Sequence, residues 1–332
     1  MRARRTRQPL LSRPNGGVQV GLFPGPTWMV PNASMYERRA LAADPTGLAA
    51  APEAEAAQLL EELLAAGVLD ASTPDPADMK TLSPAGHAAL SAERDWLAAQ
   101  SGDAFAAQVL ARRHHSAVEI RGGQRWAALL ASLLVASGIG RLRVVDAEHA
   151  TDSDVFPGAV QSAGDPRGPA ATTAALKAGG DSRPLGPEGT RDLVVLADGS
   201  DLDPAGVDAL MRAGTPHLVL AARAHHFQVG PLVVPGRTAC LTCWAHTRTD
   251  DDSAWPMLTG QLANRSCNAV SAPAVAVAAG LATATALQYL DAPGANRPAE
   301  IAWLLDGTDD PVRRQPTRHP LCGCSWSMQP AA

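Results

Sequence analysis

Lysine is almost absent from this sequence, and there is no excess of positive charge for binding a polyanion. Lys80 and Lys177 are the two lysines, so arginine carries nearly all of the positive charge. The formal net charge is -5, from 28 basic and 33 acidic side chains. Nonspecific nucleic-acid binding needs a basic surface, so this balance argues against that class. The arginine-rich start (MRARRTR) can be interpreted as a solvated tail or as a nucleic-acid contact.

The sequence also lacks an export signal and a clear membrane-spanning segment. No apolar run follows the basic start, because QPLLSRPNGG interrupts it. Residues 272–290 are long and apolar, but they are rich in Ala and Thr and contain Gln288, which favours a buried core helix. The chain has only 5 cysteines, and four of them are spaced as metal ligands. We therefore expect a cytoplasmic protein without membrane attachment.

The first hundred residues predict a small α+β module behind a disordered tail at 1–16. Short strand patterns lie within 17–30, and apolar residues at helical spacing predict a helix from 52 to 69. Ser83 and Pro84 predict the start of another helix. This order favours a winged-helix-like module over 17–100, and an irregular helical extension is the alternative.

Two further predictions concern residues 84–116. Leu90 and Trp96 are expected to face inward from the helix that starts at Pro84. A linker helix is expected at 101–116, before the sequence changes character.

From residue 117 to 328, strand and helix patterns alternate, which predicts an α/β domain with a mostly parallel sheet. It opens with a βαβ unit in which a glycine turn, RGGQ, separates the first strand from an apolar helix, and the second strand ends at Asp146. Two strand pieces are expected between His225 and the first cysteine pair, followed by an acidic linker, RTDDDSAWP. The other strands are predicted at 192–197, 217–221 and 301–305, and the other helices at 169–178, 204–213 and 272–290; a helix at 104–113 is predicted before this domain.

Two close cysteine pairs are the strongest chemical signal. Cys240 and Cys243 form a C-x-x-C, and Cys322 and Cys324 form a C-x-C near the end of the chain. Four thiolates brought together would form a closed tetrahedral zinc site, which holds structure and leaves no open position for catalysis. The alternative is four ordinary buried thiols.

Other candidate residues have both functional and structural interpretations. Cys267 precedes a helix and could be a nucleophile with a lowered pKa, or a buried thiol beside that helix. His246 and His319 flank the cysteine pairs and could support the metal ligands, or lie in solvent-facing loops. The run Asp250–Asp252 could bind a cation, or be part of a solvated linker.

The order of these parts resembles the ThiF/MoeB/E1-like superfamily over residues 117–326. The features that carry the resemblance are the glycine turn, the aspartate that ends the second strand, the strand DLVVL, the segment GPLVVPGRTACLTC and the terminal cysteine pair. The stretch GRTACLTCWAHTRTDDDSAWPMLTGQL is similar to the ThiF-like proteins of thiazole/oxazole-modified peptide biosynthesis. The resemblance implies a Rossmann-like E1/ThiF domain with structural zinc, preceded by a winged-helix element that binds a leader peptide.

The resemblance also implies a nucleotide site. Gly122 and Gly123 match the glycine loop, and Asp146 matches the acid that takes the ribose. Arg167 stands where the family has a phosphate-binding lysine, and Asp198 lies one position from the expected metal-binding aspartate. Adenylation needs positioned cations and backbone N–H groups at the phosphates. An arginine has a larger, planar head and does not replace that lysine geometrically.

Further departures from the family concern the loop after Asp146 and the glycine turn. A third glycine is not evident, and the Asn and Arg expected after Asp146 are missing. We therefore expect a non-adenylating scaffold, a homodimer, that binds the leader of a precursor peptide and presents it to a YcaO-type cyclodehydratase. An active adenylyltransferase that uses ATP and Mg²⁺ is the alternative, and a winged-helix DNA-binding regulator is a third class.

Overall fold

The computed structural model describes residues 10–14, 16–20, 27–31, 82–155, 162–177, 179–223, 226–262, 270–292, 301–305 and 310–324. The chain divides into two compact units, Met1–Ala111 and Arg112–Ala332. The division falls inside the segment expected to be a linker helix. The expected helix at 52–69 and the fifth cysteine, Cys267, lie outside the described residues.

The first unit contains a three-stranded antiparallel sheet in the order β1-β2-β3 and a group of helices. The helices share a small apolar core that includes Leu90, Leu97, Val109 and Leu110. The elements are β1 (Leu10–Ser12), β2 (Val18–Val20), β3 (Trp28–Val30), α1 (Pro84–Ala89), α2 (Ser91–Ser101) and α3 (Asp103–His115), which continues into the second unit.

Several predictions for this unit can be compared with the structure. Ser83 caps α1 as expected, because its hydroxyl accepts a hydrogen bond from the Gly86 amide at 3.1 Å. Leu90 is buried, but the inward placement of Trp96 is wrong, since Trp96 is 67% exposed. Helix α2 instead buries Leu97 and Ala98, so its inner face lies one position further along the chain. Strand β1 lies within the segment expected to be a disordered tail.

The second unit has one eight-stranded sheet with helices on both faces. The order of strands is β11-β10-β9-β8-β7-β4-β5-β6. The five strands from β8 to β6 are parallel, and β9, β10 and β11 add antiparallel pairs at one end. The mostly parallel sheet is therefore confirmed for the described residues. Its strands are β4 (Ala117–Arg121), β5 (Arg141–Val145), β6 (Arg183–Pro184), β7 (Leu193–Leu196), β8 (His217–Arg223), β9 (His226–Val233), β10 (Ala302–Leu305) and β11 (Val312–Arg314).

The helices of this unit divide between the two faces of the sheet. They are α4 (Arg125–Ala136), α5 (Arg167–Leu176), α6 (Pro204–Arg212), α7 (Leu241–Asp251), α8 (Trp255–Leu262) and α9 (Ala272–Asp291). Side chains alternate along the buried strands, as the period of a strand requires. In β7, Val195 packs in the core with α4, α5 and α9, whereas Val194 and Leu196 pack in the core with α6 and the cysteines. Both faces are covered, which explains why the strand is apolar throughout.

Helix α9 packs against the sheet and α4, as the Ala-rich pattern predicted. It is long and apolar enough, by length and composition, to cross a membrane. Val275, Ala278, Ala282 and Ala286 nevertheless lie fully buried in the main core. The small side chains let α9 approach α4 closely, and this close packing favours a core helix.

The chain around the first cysteine pair differs from the prediction. The two expected strand pieces form one strand, β9, which pairs antiparallel with β8. The expected acidic linker is helical, because α7 runs through Asp251 and α8 begins at Trp255. Charged residues do not prevent a helix when one face still packs, and α7 buries Leu241 and Cys243. The short strands β6 and β11 were missed, since their sequences lack an apolar pattern.

Candidate functional site

The glycine turn lies at the carboxyl edge of the parallel strands, between β4 and α4. Gly122 has a φ of 99°, a conformation that favours glycine, and its amide donates to the Val145 carbonyl at 2.8 Å. A Cβ at Gly122 would lie 2.9 Å from the backbone nitrogen of Asp198. The turn therefore joins the ends of β4, β5 and β7 at close range, in the crevice where doubly wound folds bind ligands.

Helix α5 brings Arg167 to this edge. Gly168 lies so close to the end of β5 that a Cβ would come within 2.7 Å of the Asp146 nitrogen and 2.9 Å of the Val144 oxygen. Only a glycine lets the helix start at that distance. Its neighbour Arg167 is consequently held beside Asp146, although 21 residues separate the two in sequence.

Arg167 is engaged by three carboxylates of this chain. Its guanidinium lies 3.2 Å from Asp146 and 3.0 Å from Glu148, and its Nε lies 3.6 Å from Asp154. A further hydrogen bond goes to the His149 carbonyl at 3.3 Å. The side chains of Arg167, Asp146 and Asp154 are each 9% exposed, so one guanidinium lies between two carboxylates away from bulk water and is their shared cation.

Backbone amides also occupy Asp146, so that three hydrogen bonds reach its two carboxylate oxygens. Its Oδ2 accepts from the Gly123 amide at 2.7 Å, and its Oδ1 accepts from the Glu148 amide at 2.8 Å. A Cβ at Gly123 would meet the Arg167 side chain at 2.8 Å. The acid expected to take a ribose and the cation expected to bind a phosphate thus neutralise each other beside the glycine turn.

A second charged pair lies on the other side of the turn. Asp201 and Arg223 form a buried ion pair after β7 and at the end of β8. Burial raises the pKa of the Asp201 carboxyl above its ordinary value, and Arg223 acts in the opposite direction. Asp198 adds to the upward shift of the Asp201 pKa, which places the pair close to the turn.

Several buried polar atoms around the turn have no hydrogen-bond partner among the described residues. They are Gln124 Oε1, Asp201 Oδ1, Arg223 Nε and Arg167 Nε. Buried polar atoms are normally paired, and their desolvation is costly when they are not. This edge therefore keeps polar groups that could contact a bound polar molecule, even though Asp146 and Arg167 are already engaged.

The four cysteines meet on the opposite face of the sheet from α4 and α9. Cys240 is the N-cap of α7 and Cys243 lies in its first turn, while Cys322 and Cys324 lie in the tail after β11. The sulfurs of Cys240 and Cys243 are 3.8 Å apart, and each lies 3.5 Å from a sulfur of the tail pair. All four lie within 4.8 Å of one another, so they could hold a metal ion.

This geometry fits a tetrahedral thiolate site. Four sulfurs at about 2.3 Å from a zinc ion form a tetrahedron with edges of about 3.8 Å. Burial raises the pKa of the Cys324 thiol to about 11 and that of Cys322 well above its ordinary value. Burial also tends to raise the pKa of the Cys243 thiol. Backbone hydrogen bonds with His319 and Cys240 oppose this effect, and the net result is a lowered pKa. Thiolates crowded in this way require a compensating cation, and a bound metal would supply that charge.

The two histidines beside the cysteines contact each other. The rings of His246 and His319 stack with centroids 4.9 Å apart, and His319 Nε2 lies 2.9 Å from Asp250. The Leu321 amide donates to His319 Nδ1 at 3.2 Å. These contacts tie the tail to α7 independently of the sulfurs. They also pair Asp250, the first residue of the acidic run, with His319.

The predicted residues therefore fall into two groups. The structure brings together Gly122, Gly123, Asp146 and Arg167, with Asp198 adjoining Gly122. It also brings together the two cysteine pairs, whose contacting members are 82 and 81 residues apart in sequence. Sequence reasoning missed Glu148, Asp154, Asp201 and Arg223. The acidic loop AEHATDSD was a usable signal for the first two, since a buried arginine nearby needs carboxylate partners.

Known protein structures share the fold that carries these two groups of residues. Neither a protein-family model nor a curated protein matches the sequence. Solved structures match over nearly the whole chain. PaaA has a TM-score of 0.71 at 18% identity, with 95% of this chain and 100% of that chain covered. The chain has the E1/ThiF-like fold.

Structures of Escherichia coli MccB support the same conclusion about the fold. The microcin C7 biosynthetic enzyme MccB with N-formylated MccA has a TM-score of 0.65 at 14% identity, covering 96% of this chain and 98% of that one. E. coli MccB with ATP has a TM-score of 0.64 at 15% identity, with the same coverage. At these identities the E1/ThiF-like fold is shared, and the likeness extends to both units of the chain.

Proposed function

We propose that this chain is a non-adenylating E1/ThiF-like scaffold that binds the leader of a ribosomal precursor peptide and presents it to a YcaO-type cyclodehydratase. The observation that carries the non-adenylating part is the engagement of Arg167 by Asp146, Glu148 and Asp154. ATP would have to displace a network in which three carboxylates already share the Arg167 guanidinium, and the excess negative charge there disfavours a polyphosphate. Its ribose would also compete with the Gly123 and Glu148 amides for Asp146.

Peptide binding is supported by the first unit and by the similar structures. The sheet β1-β2-β3 has short edge strands on both sides, and an extended peptide can add a strand to such an edge. MccB, which shares the fold, has been solved with its partner MccA. In the proposal, the winged-helix-like module takes the leader, and the zinc held by Cys240, Cys243, Cys322 and Cys324 stabilises the second unit. The protein acts as a cytoplasmic homodimer.

The test needs a candidate precursor peptide, which can be sought among the short reading frames that flank this gene. We expect the full chain to bind that peptide in a calorimetric titration, with deuterium-exchange protection of backbone amides in β1 or β3. Pyrophosphate exchange with ATP and Mg²⁺ should stay at background with and without the peptide. Protection confined to the second unit would refute strand addition in the first unit.

Active adenylation is the second candidate, and the unpartnered atoms of Gln124, Asp201 and Arg223 favour it. MccB with ATP provides a fold relative that holds the nucleotide. If adenylation occurs, ATP-dependent pyrophosphate exchange should be robust, and Asp146→Asn should abolish it. Glu148→Gln is the matched control, because Glu148 is 76% exposed and contacts the same arginine.

A further inference from the structure

An open pocket of about 430 Å³ lies at the amino edge of the parallel strands, the opposite edge of the sheet from the glycine turn. It is bounded by the end of α3, the segments that lead into β7 and β8, and the end of α9. Its lining includes Arg112, Arg191, Asp192, Tyr289 and Leu290. Its volume is in the range of small-molecule sites. Neither the scaffold function nor the adenylation alternative uses it.

The walls are held rigidly without a ligand. Arg113, next to Arg112, makes a two-pronged ion pair with Asp291 at 2.8 and 2.7 Å, and it also donates to the Ser137 carbonyl at 3.0 Å. These contacts lock the end of α3 to the end of α9, which carries Tyr289. Arg191 is fixed by Glu119 at 2.8 Å. A site with fixed walls loses less entropy when it binds a ligand.

Two polar groups in this pocket remain available. The guanidinium of Arg112 and the hydroxyl of Tyr289 have no hydrogen-bond or ion-pair partner among the described residues. Arg191, in contrast, is committed to Glu119 and to the carbonyls of Gly189 and Pro187. Burial raises the pKa of the Tyr289 phenol, so the phenol stays protonated and can donate.

The charges of the lining select the ligand. Glu119 offsets Arg191, and Asp192 contributes one negative charge while its Oδ2 accepts from the Ala117 amide at 2.7 Å. Asp192 disfavours a doubly charged anion, whereas Arg112 offers a fork that suits a carboxylate. The Tyr289 ring and Leu290 add apolar wall.

We propose that this amino-edge pocket is a second binding site, which takes a monocarboxylate with a small apolar body through Arg112 and the Tyr289 hydroxyl. The site is separate from the glycine turn. It therefore stands whether or not the chain proves to be a leader-binding scaffold.

The experiment compares benzoate with its neutral isostere benzamide in NMR titrations of the full chain. Benzoate should bind saturably and shift the resonances of Arg112 and Tyr289. Benzamide should bind about tenfold more weakly, because it lacks the charge that strengthens the hydrogen bond. Arg112→Gln should weaken benzoate binding by about tenfold, and Tyr289→Phe by about twofold to tenfold. Arg314→Gln, an exposed change on β11, should leave binding unchanged.

Several outcomes would overturn the proposal. They are equal binding of benzamide, no effect of either Arg112→Gln or Tyr289→Phe, or the absence of saturable benzoate binding. Inorganic phosphate that binds more tightly than benzoate would overturn the assignment to a monocarboxylate. Tyr289→Phe removes only a hydroxyl, so it tests the site even if Arg112→Gln disturbs folding.

Discussion

Replacing Arg167 with alanine should destabilise the second unit and leave two buried carboxylates without a cation. Breaking a buried ion pair by removing one partner costs about 3–5 kcal/mol. We expect the lower end, about 3 kcal/mol, because both carboxylates keep other hydrogen bonds. Asp146 keeps the Gly123 and Glu148 amides, and Asp154 keeps the Thr151 amide and hydroxyl at 2.9 Å each.

The contact with Glu148 provides the control. Glu148 is 76% exposed, and a pair with one such partner contributes less than about 1 kcal/mol. Urea unfolding followed by tryptophan fluorescence should therefore show a large loss for Arg167→Ala and a small one for Glu148→Gln. The double variant Arg167→Ala/Asp146→Asn should recover part of the loss, since it removes one of the stranded charges.

Adding Mg²⁺-ATP to the same urea unfolding experiment tests whether the native chain binds the nucleotide. If the carboxylates around Arg167 prevent it from binding a phosphate, Mg²⁺-ATP should not shift the urea midpoint of the wild-type chain. A cost of Arg167→Ala below about 1 kcal/mol would refute the buried network, because pairs that are fully solvated give values of that size. A clear stabilisation of the wild type by Mg²⁺-ATP would refute the conclusion that the Arg167 network prevents nucleotide binding, since only a ligand of the native state stabilises it.

Three other predictions concern packing, pH and metal. Gly140→Ala should cost more than about 2 kcal/mol in urea unfolding, because a Cβ there would lie 1.8 Å from the His114 carbonyl oxygen, whereas Gly186→Ala, which meets nothing within 4 Å, should be nearly neutral. Burial lowers the pKa of His217 below its ordinary 6.5, so as the pH falls the unfolded chain binds the proton before the native chain does. The free energy of unfolding should therefore decrease as the pH drops below 6.5 and become constant below the native pKa. In urea titrations at stepped pH, His217→Gln should make this decrease smaller. Zinc removal by a chelator should lower the melting temperature, and rebinding should release protons that a pH indicator detects; an unchanged melting temperature would contradict a structural role for the metal.

The sequence was sufficient for much of the second unit, because its signals are local. Buried parallel strands such as β7 read as apolar runs, and the glycine turn before α4 marks the first βαβ crossover. The spacing of each cysteine pair likewise indicated a metal ligand set. Local propensity was insufficient where packing decided the outcome. Trp96 faces solvent, and the acidic run after Cys243 is helical because α7 packs through Leu241.

What only the tertiary structure decided is which charges meet. The family resemblance singled out both Asp146 and Arg167, as candidates for the ribose acid and the phosphate-binding cation. Their mutual neutralisation depends on the close approach of α5 to β5 at Gly168, and on Glu148 and Asp154 in the intervening loop. Residues 21 positions apart carry no sequence pattern that reports a 3.2 Å contact. The sequence therefore shows which charged residues are present near the glycine turn. Whether they pair with one another is determined by contacts between residues that are distant in sequence.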